Sequence, residues 1–141
     1  MRRFLACLML AISVGTAQAC LCRDIPSVEA LRLRSSDVFV GRVLSLTASG
    51  VGYRGQVFIE RSWKGAQAGS TVVVATVGVS TMCGVEFRPG YRLLVFANPD
   101  QKGVFWAWRC NRSTSAPANI AALSDSLGEP SSTAKYAPSS R

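Results

Sequence analysis

Runs of apolar residues separated by glycine- and proline-containing turns predict a mainly β protein. Stretches rich in Val, Phe, Leu and Ile recur through the middle of the chain, and their lengths suit strands rather than long helices. Five strands are predicted, at residues 38–46, 54–63, 71–79, 91–97 and 104–110. The chain shows no internal repeat and no second domain.

Two short helices are predicted to flank the strands. Residues 25–34 contain good helix formers behind Ser27, whose side chain is suited to cap a helix N-terminus. Residues 119–127 form a modest amphipathic pattern. Five strands between two helices favour a five-stranded, OB-fold-like Greek-key barrel that is closed or nearly closed. An immunoglobulin-like sandwich is the alternative, but it would need about seven strands.

The N-terminus has the three parts of a cleaved export signal. Arg2 and Arg3 precede an apolar run over residues 4–14, and Ala17-Gln18-Ala19 matches an A-x-A cleavage site. The run is shorter than the roughly 20 residues of a membrane-spanning helix. We therefore expect residues 1–19 to be a signal peptide and the product to be secreted or periplasmic. A lipidated N-terminal cysteine is the alternative, although glutamine two residues before the cysteine fits that signal poorly.

Cleavage there leaves 122 of the 141 residues, with Cys20 at the new N-terminus. A globular domain is expected over residues 20–128. Beyond it the composition turns to Pro, Ser and Ala, so residues 129–141 are predicted to be a flexible tail.

The cysteines predict two disulfides. Of the five, Cys7 leaves with the signal, and Cys20, Cys22, Cys83 and Cys110 remain. A bond between Cys20 and Cys22 would close a tiny strained ring. Two arrangements stay open, and each ties the N-terminus to two distant parts of the chain.

Composition excludes several kinds of chemistry. The chain has no histidine, which rules out histidine-based triads, histidine-ligated zinc sites and histidine general bases. Asp37 and Glu60 are too far apart in sequence to predict a carboxylate pair, so we expect no enzyme activity and no cofactor. Without Arg2 and Arg3 the formal net charge falls from +8 to +6. The remaining basic residues are scattered, which is typical of an ordinary solvated surface.

Two tryptophans alternate along the last predicted strand. Trp106 and Trp108 could present a stacking platform for bases or sugars, as in oligonucleotide-binding barrels. Packing over a disulfide and the barrel wall is the favoured interpretation. Export would also separate the protein from intracellular nucleic acid, which we do not expect as a partner.

Several short motifs occur in an order that resembles a known family. They are Cys20-Leu21-Cys22 after the cleavage site, Ser36-Asp37-Val38-Phe39-Val40-Gly41-Arg42-Val43 at the first strand, Trp63-Lys64-Gly65 after the second, Cys83-Gly84 before the fourth, and Cys110 at the end of the fifth. Together they resemble the netrin-like module that is shared with tissue inhibitors of metalloproteinases. The resemblance covers residues 20–128, nearly all of the expected mature chain.

The resemblance implies a disulfide pairing and a mechanism. The pairs would be Cys20 with Cys83 and Cys22 with Cys110. In the inhibitors, the α-amine and carbonyl oxygen of the first cysteine chelate the zinc of a metalloprotease, and the next side chain enters its specificity pocket. An α-amine has a pKa near 8, so its neutral form is readily available to a metal. We call Cys20, Leu21, Cys22 and Arg23 the N-terminal ridge; it is the predicted contact with a zinc metalloprotease, and the protein needs no metal of its own.

A second function stays open at this point. The basic chain is also compatible with a non-inhibitory binding domain in the envelope or outside the cell, whose ligands would be anionic glycans or lipid head groups. Strong salt dependence of binding would distinguish it from the inhibitor.

Overall fold

The computed structural model describes residues 20–50, 52–78 and 82–138; the predicted signal peptide lies outside them. The elements are α1 (Val28–Arg34), β1 (Asp37–Ser49), β2 (Gly52–Lys64), β3 (Thr71–Thr76), β4 (Arg92–Ala97), β5 (Val104–Trp106), a 3-10 helix (Arg109–Asn111), α2 (Pro117–Leu127) and β6 (Ser132–Thr133). The predicted mainly β chain with two short flanking helices is confirmed. No helix within the described ranges is long and apolar enough to span a membrane.

The strands form one sheet in the order β4-β1-β2-β3-β5, with β6 added to β2. β1 pairs antiparallel with β2 and β4, β2 pairs antiparallel with β3, and β3 and β5 run parallel. The sheet is open, so the predicted closure into a barrel is wrong. β4 and β5 lie at the two ends of the sheet. Among the described residues, the bridge between these ends is a single isolated one, from Pro99, just after β4, to Phe105 in β5. β5 has three residues rather than the predicted seven, which is too few for a closing ladder.

The residues at the helix termini are suited to their positions. The Ser27 side chain accepts a hydrogen bond from the backbone N–H of Ala30 at 3.1 Å, which is the predicted N-cap. α2 begins at Pro117, two residues before the predicted start, because proline is well suited to the first turn of a helix. It ends at Leu127 and is followed by the C-cap residue Gly128, whose φ is 73°.

Two apolar clusters lie on opposite faces of the sheet. Neighbouring residues of β1 alternate between them, so that Phe39 faces one cluster and Val38 and Val40 face the other. In the first cluster, Phe39 packs edge to face against Phe105 with ring centroids 5.4 Å apart. The second cluster is completed by Leu31, Ile120 and Leu127 from the two helices. β1 and β4 are therefore buried on both faces.

Trp63-Lys64-Gly65, one of the motifs behind the resemblance, joins the helices to the sheet. The Trp63 indole N–H donates to the carbonyl oxygen of Gly128 at 2.7 Å, and Lys64 donates to carbonyl oxygens at the C-terminal end of α1. Gly65 has a φ of 76°, and a Cβ there would lie 2.2 Å from a carboxylate oxygen of Asp37. Glycine is needed at this position for both reasons.

Part of the predicted flexible tail is instead paired with the sheet. β6 lies along the C-terminal half of β2, where the Ala134 N–H donates to the Glu60 carbonyl oxygen at 2.8 Å. Tyr136 packs against Phe58 with ring centroids 5.4 Å apart. β2 has 13 residues and β3 only 6, so β2 extends past its neighbour and leaves an edge for the tail. Residues 139–141 lie outside the described chain.

Candidate binding ridge

The N-terminal ridge combines one strongly exposed side chain with two anchored ones. Leu21 is 80% exposed, and Arg23 is also exposed. Cys20 and Cys22, on either side of Leu21, are half-buried. The ridge therefore presents an aliphatic side chain between two covalent attachments.

The two predicted disulfides are present. Cys20 is bonded to Cys83, with 5.1 Å between Cα atoms, and Cys22 is bonded to Cys110, with 5.3 Å. These are the two pairs that the resemblance implies. The bonds lie side by side, since all four sulfur atoms are within 4.8 Å of one another.

The two segments that hold the ridge are also bonded to each other. The Arg109 N–H donates to the Cys83 carbonyl oxygen at 3.0 Å, and Gly84 and Trp108 form an antiparallel bridge. A Cβ on Gly84 would lie 2.0 Å from the carbonyl oxygen of Val77, so only glycine fits this approach. The ridge is thus attached to a single cross-linked base instead of two independent loops.

Thr76, the last residue of β3, is hydrogen-bonded to both segments of this base. Its hydroxyl accepts a hydrogen bond from the Val85 N–H at 2.8 Å and donates to the Ala107 carbonyl oxygen at 3.2 Å. The side chain is in the interior, at 3% exposure. Sequence analysis did not identify Thr76; its signal is a single hydroxyl between the apolar residues 72–75 and Val77.

Two further hydrogen bonds fix the C-terminal end of the 3-10 helix. Arg112, just after it, donates from Nε to the carbonyl oxygen of Pro26 at 2.6 Å. Asn111 donates from Nδ2 to the carbonyl oxygen of Phe96 in β4 at 2.6 Å. The first bond holds the segment between the ridge and α1 against the body of the protein.

The two tryptophans lie beside the ridge. Their ring centroids are 6.3 Å apart, and both side chains are partly buried. Together with Cys110 they line a cavity of about 370 Å³. The Trp106 indole N–H donates to Asp100 at 3.1 Å. Hydrogen bonds from the Val104 backbone and then from Trp106 lower the pKa of the Asp100 carboxyl, because they stabilise its charged form.

The ridge offers main-chain rather than side-chain chemistry. Within the described ranges, the four cysteines are the group whose sulfur atoms are close enough to hold a metal ion. As disulfides, however, they present no thiolate, which is the form that binds metals. The exposed side chains of the ridge are those of Leu21 and Arg23, and the main chain of Cys20 contributes a nitrogen and a carbonyl oxygen.

Comparison with known proteins does not assign the chain to a family. No protein-family model matches it, and no curated protein matches it in sequence. The likeness to the netrin-like module rests on the motifs described above.

Proposed function

We propose that this protein is an exported binding module that contacts another protein through its N-terminal ridge. In its sharpest form, the proposal is inhibition of a zinc metalloprotease through Cys20. The observation that carries it is the exposure of Leu21, 80%, in a segment bonded to the body of the protein on both sides.

Rigid attachment favours binding by such a short segment. A flexible peptide loses conformational freedom when it binds, at a cost of about 0.5–1.5 kcal/mol for each immobilised side chain, with backbone ordering in addition. The two disulfides and the hydrogen bond between their anchor segments remove much of this freedom beforehand. An exposed leucine held in one place can enter an apolar pocket with little further ordering.

Chelation would use the amine and the carbonyl oxygen of one residue. Cleavage after Ala19 would make the nitrogen of Cys20 a free amine, and the bond to Cys83 would hold both chelating atoms in place. The amine must lose its proton to bind zinc. Since an ordinary α-amine has a pKa near 8, inhibition is expected to strengthen as the pH rises from about 6 to 8.

The mass of the exported protein is the first test. A mass that corresponds to a chain starting at unmodified Cys20 supports the mechanism. An acyl or diacylglycerol adduct on Cys20 contradicts it, because the amine or the ridge would then be occupied.

An N-terminal extension tests the chelation directly. One added alanine before Cys20 moves the free amine by roughly 3.5 Å. We expect at least a hundredfold rise in the inhibition constant against any zinc metalloprotease that the unextended protein inhibits, with an unchanged melting temperature. The matched control carries the extra alanine at the C-terminus and should inhibit normally. Equal inhibition by the N-terminally extended protein contradicts chelation, and inhibition of no protease in a broad panel contradicts the inhibitor function.

A further inference from the structure

We propose that a second site, which we call the arginine pocket, binds a phosphate monoester. The pocket has a volume of about 620 Å³ and lies where α2 meets β1, β2 and β4. Its lining includes the three arginines Arg42, Arg61 and Arg92, together with Tyr91, Pro117 and Ile120. Its size falls within the range of roughly 300–1,000 Å³ of small-molecule sites.

Two of the arginines are organised by a buried carboxylate. Arg42 and Arg92 are paired across β1 and β4. Both contact Glu60, with Arg42 Nη2 at 2.9 Å from Oε1 and Arg92 Nε at 2.7 Å from Oε2. Glu60 is only 8% exposed. It therefore contacts the two arginines from the interior and presents little negative charge to a ligand at the surface.

A β-bulge in β2 explains how Glu60 and Arg61 serve the same site. Val40 pairs with Arg61 and Gly41 pairs with Ile59, which leaves Glu60 as an extra residue without a partner in β1. Consecutive residues of a regular strand point to opposite faces, and a bulge changes this alternation. Glu60 can therefore support Arg42 and Arg92 while the next residue, Arg61, lines the same pocket.

The arginines differ in how many donors they can offer to a ligand. All three Arg42 guanidinium nitrogens already have a partner, because Nε and Nη2 contact Glu60 and Nη1 donates to the carbonyl oxygen of Gly90 at 3.3 Å. Arg92 contacts Glu60 through Nε, and its side chain is 56% exposed. The Arg61 guanidinium lies 5.4 Å from the ring centroid of Trp63, and it has no ion-pair partner in the described chain. We assign ligand binding to Arg61 and Arg92.

Charge and shape together select the ligand. Three arginines over one carboxylate leave a net charge of +2, and no acidic residue lines the pocket. A phosphate monoester carries a charge of about −1.5 to −2 at pH 7, whereas a carboxylate carries only −1. Arginine also matches phosphate oxygens with paired N–H donors. The lining residues Tyr91, Pro117 and Ile120 offer apolar surface that suits an apolar substituent on the ester.

A soluble phosphate ester and the head group of a phosphatidic acid present the same chemistry. The pocket shares no residue with the N-terminal ridge, so this proposal and the proposed function can fail separately.

Calorimetric titration of the disulfide-bonded protein with hexyl phosphate tests the proposal, with hexanol as the uncharged comparison. We expect Arg61→Gln and Arg92→Gln each to weaken hexyl phosphate binding at least about tenfold, since each removes charge-assisted hydrogen bonds. Arg32→Gln makes the same charge change on the exposed face of α1 and should alter binding less than about twofold. Arg61→Lys keeps the charge and should bind with intermediate affinity. Melting curves establish that each variant is folded.

Three results overturn the proposal: no binding of hexyl phosphate at millimolar concentration, equal binding of hexanol, or equal weakening by Arg32→Gln. Vesicles with and without phosphatidic acid then distinguish the sources. Vesicle binding that Arg61→Gln abolishes identifies a lipid head group, and binding of the soluble ester alone identifies a free phosphate ester.

Discussion

Removing the hydroxyl of Thr76 tests how much its two hydrogen bonds stabilise the base of the ridge. Thr76→Val replaces this hydroxyl with a methyl group of similar size, so that the side chain still fills its space. The Val85 N–H then loses its acceptor and the Ala107 carbonyl oxygen loses its donor. Both residues are in the interior, at 3% and 0% exposure, so water does not readily replace these bonds.

The magnitude follows from the two abandoned groups. A buried polar group that loses its hydrogen-bond partner costs about 1–3 kcal/mol. No cavity term is added, since the substitution conserves volume. Two such groups together cost about 2–6 kcal/mol, so we expect the free energy of unfolding to fall by at least about 2 kcal/mol, which lowers the melting temperature by at least roughly 6 °C for a domain of this size.

Urea unfolding followed by tryptophan fluorescence measures this loss, with the disulfides intact. Thr71→Val is the matched control, because it makes the same change on an exposed residue of the same strand and should alter stability by less than about 0.5 kcal/mol. A loss below about 0.5 kcal/mol in Thr76→Val would refute the role given to this hydroxyl. A loss accompanied by an unchanged ridge, seen as unaltered Leu21 methyl chemical shifts, would limit that role to stability.

Two further predictions concern the attachment of α2 and the loop before β5. Trp63→Phe removes the hydrogen bond to Gly128 and leaves a smaller ring in the second cluster, so the free energy of unfolding should fall by about 2–3 kcal/mol. A loss under about 0.5 kcal/mol in a urea titration would show that α2 does not depend on this bond. Asp100 has a lowered pKa in the folded protein, so its stabilising effect is present above the ordinary value of 3.8 and is lost as the pH falls through the folded pKa. The difference in melting temperature between the wild type and Asp100→Asn should therefore be constant near pH 7 and shrink at the acid end of a pH 2–7 series, whereas parallel curves would contradict the assignment.

The sequence predicts most of the secondary structure because the relevant signals are local. Ser27 precedes good helix formers, and the apolar runs of the first four strands reach the lengths that strands need. The cysteine count predicts two disulfides, while the pairing followed only from the resemblance. Trp63-Lys64-Gly65 is recognisable as a motif, but its contacts with α1 and with the residue after α2 depend on the fold and cannot be predicted from the sequence.

The features that were missed depend on tertiary contacts. β6 has only Ser132 and Thr133, and nothing in these residues distinguishes a strand from a tail. They pair because β2 has an edge to offer. The bulge at Glu60 arises from the register of two long strands, and β5 ends early where the chain turns toward Cys22. The arginine pocket combines residues from three strands and a helix, which no sequence spacing brings together.

The separation of the bonded cysteines affects how the protein acquires its final covalent structure during biosynthesis. Cys20 and Cys22 lie 63 and 88 residues before their partners, so the ridge is made first and must wait until most of the domain has been synthesised. Until then, the nearest sulfur available to each is that of the other. Early wrong pairs can still be corrected by thiol–disulfide exchange, since the native fold gathers all four sulfur atoms within 4.8 Å. The first segment of the domain to leave the ribosome is therefore the last to be completed.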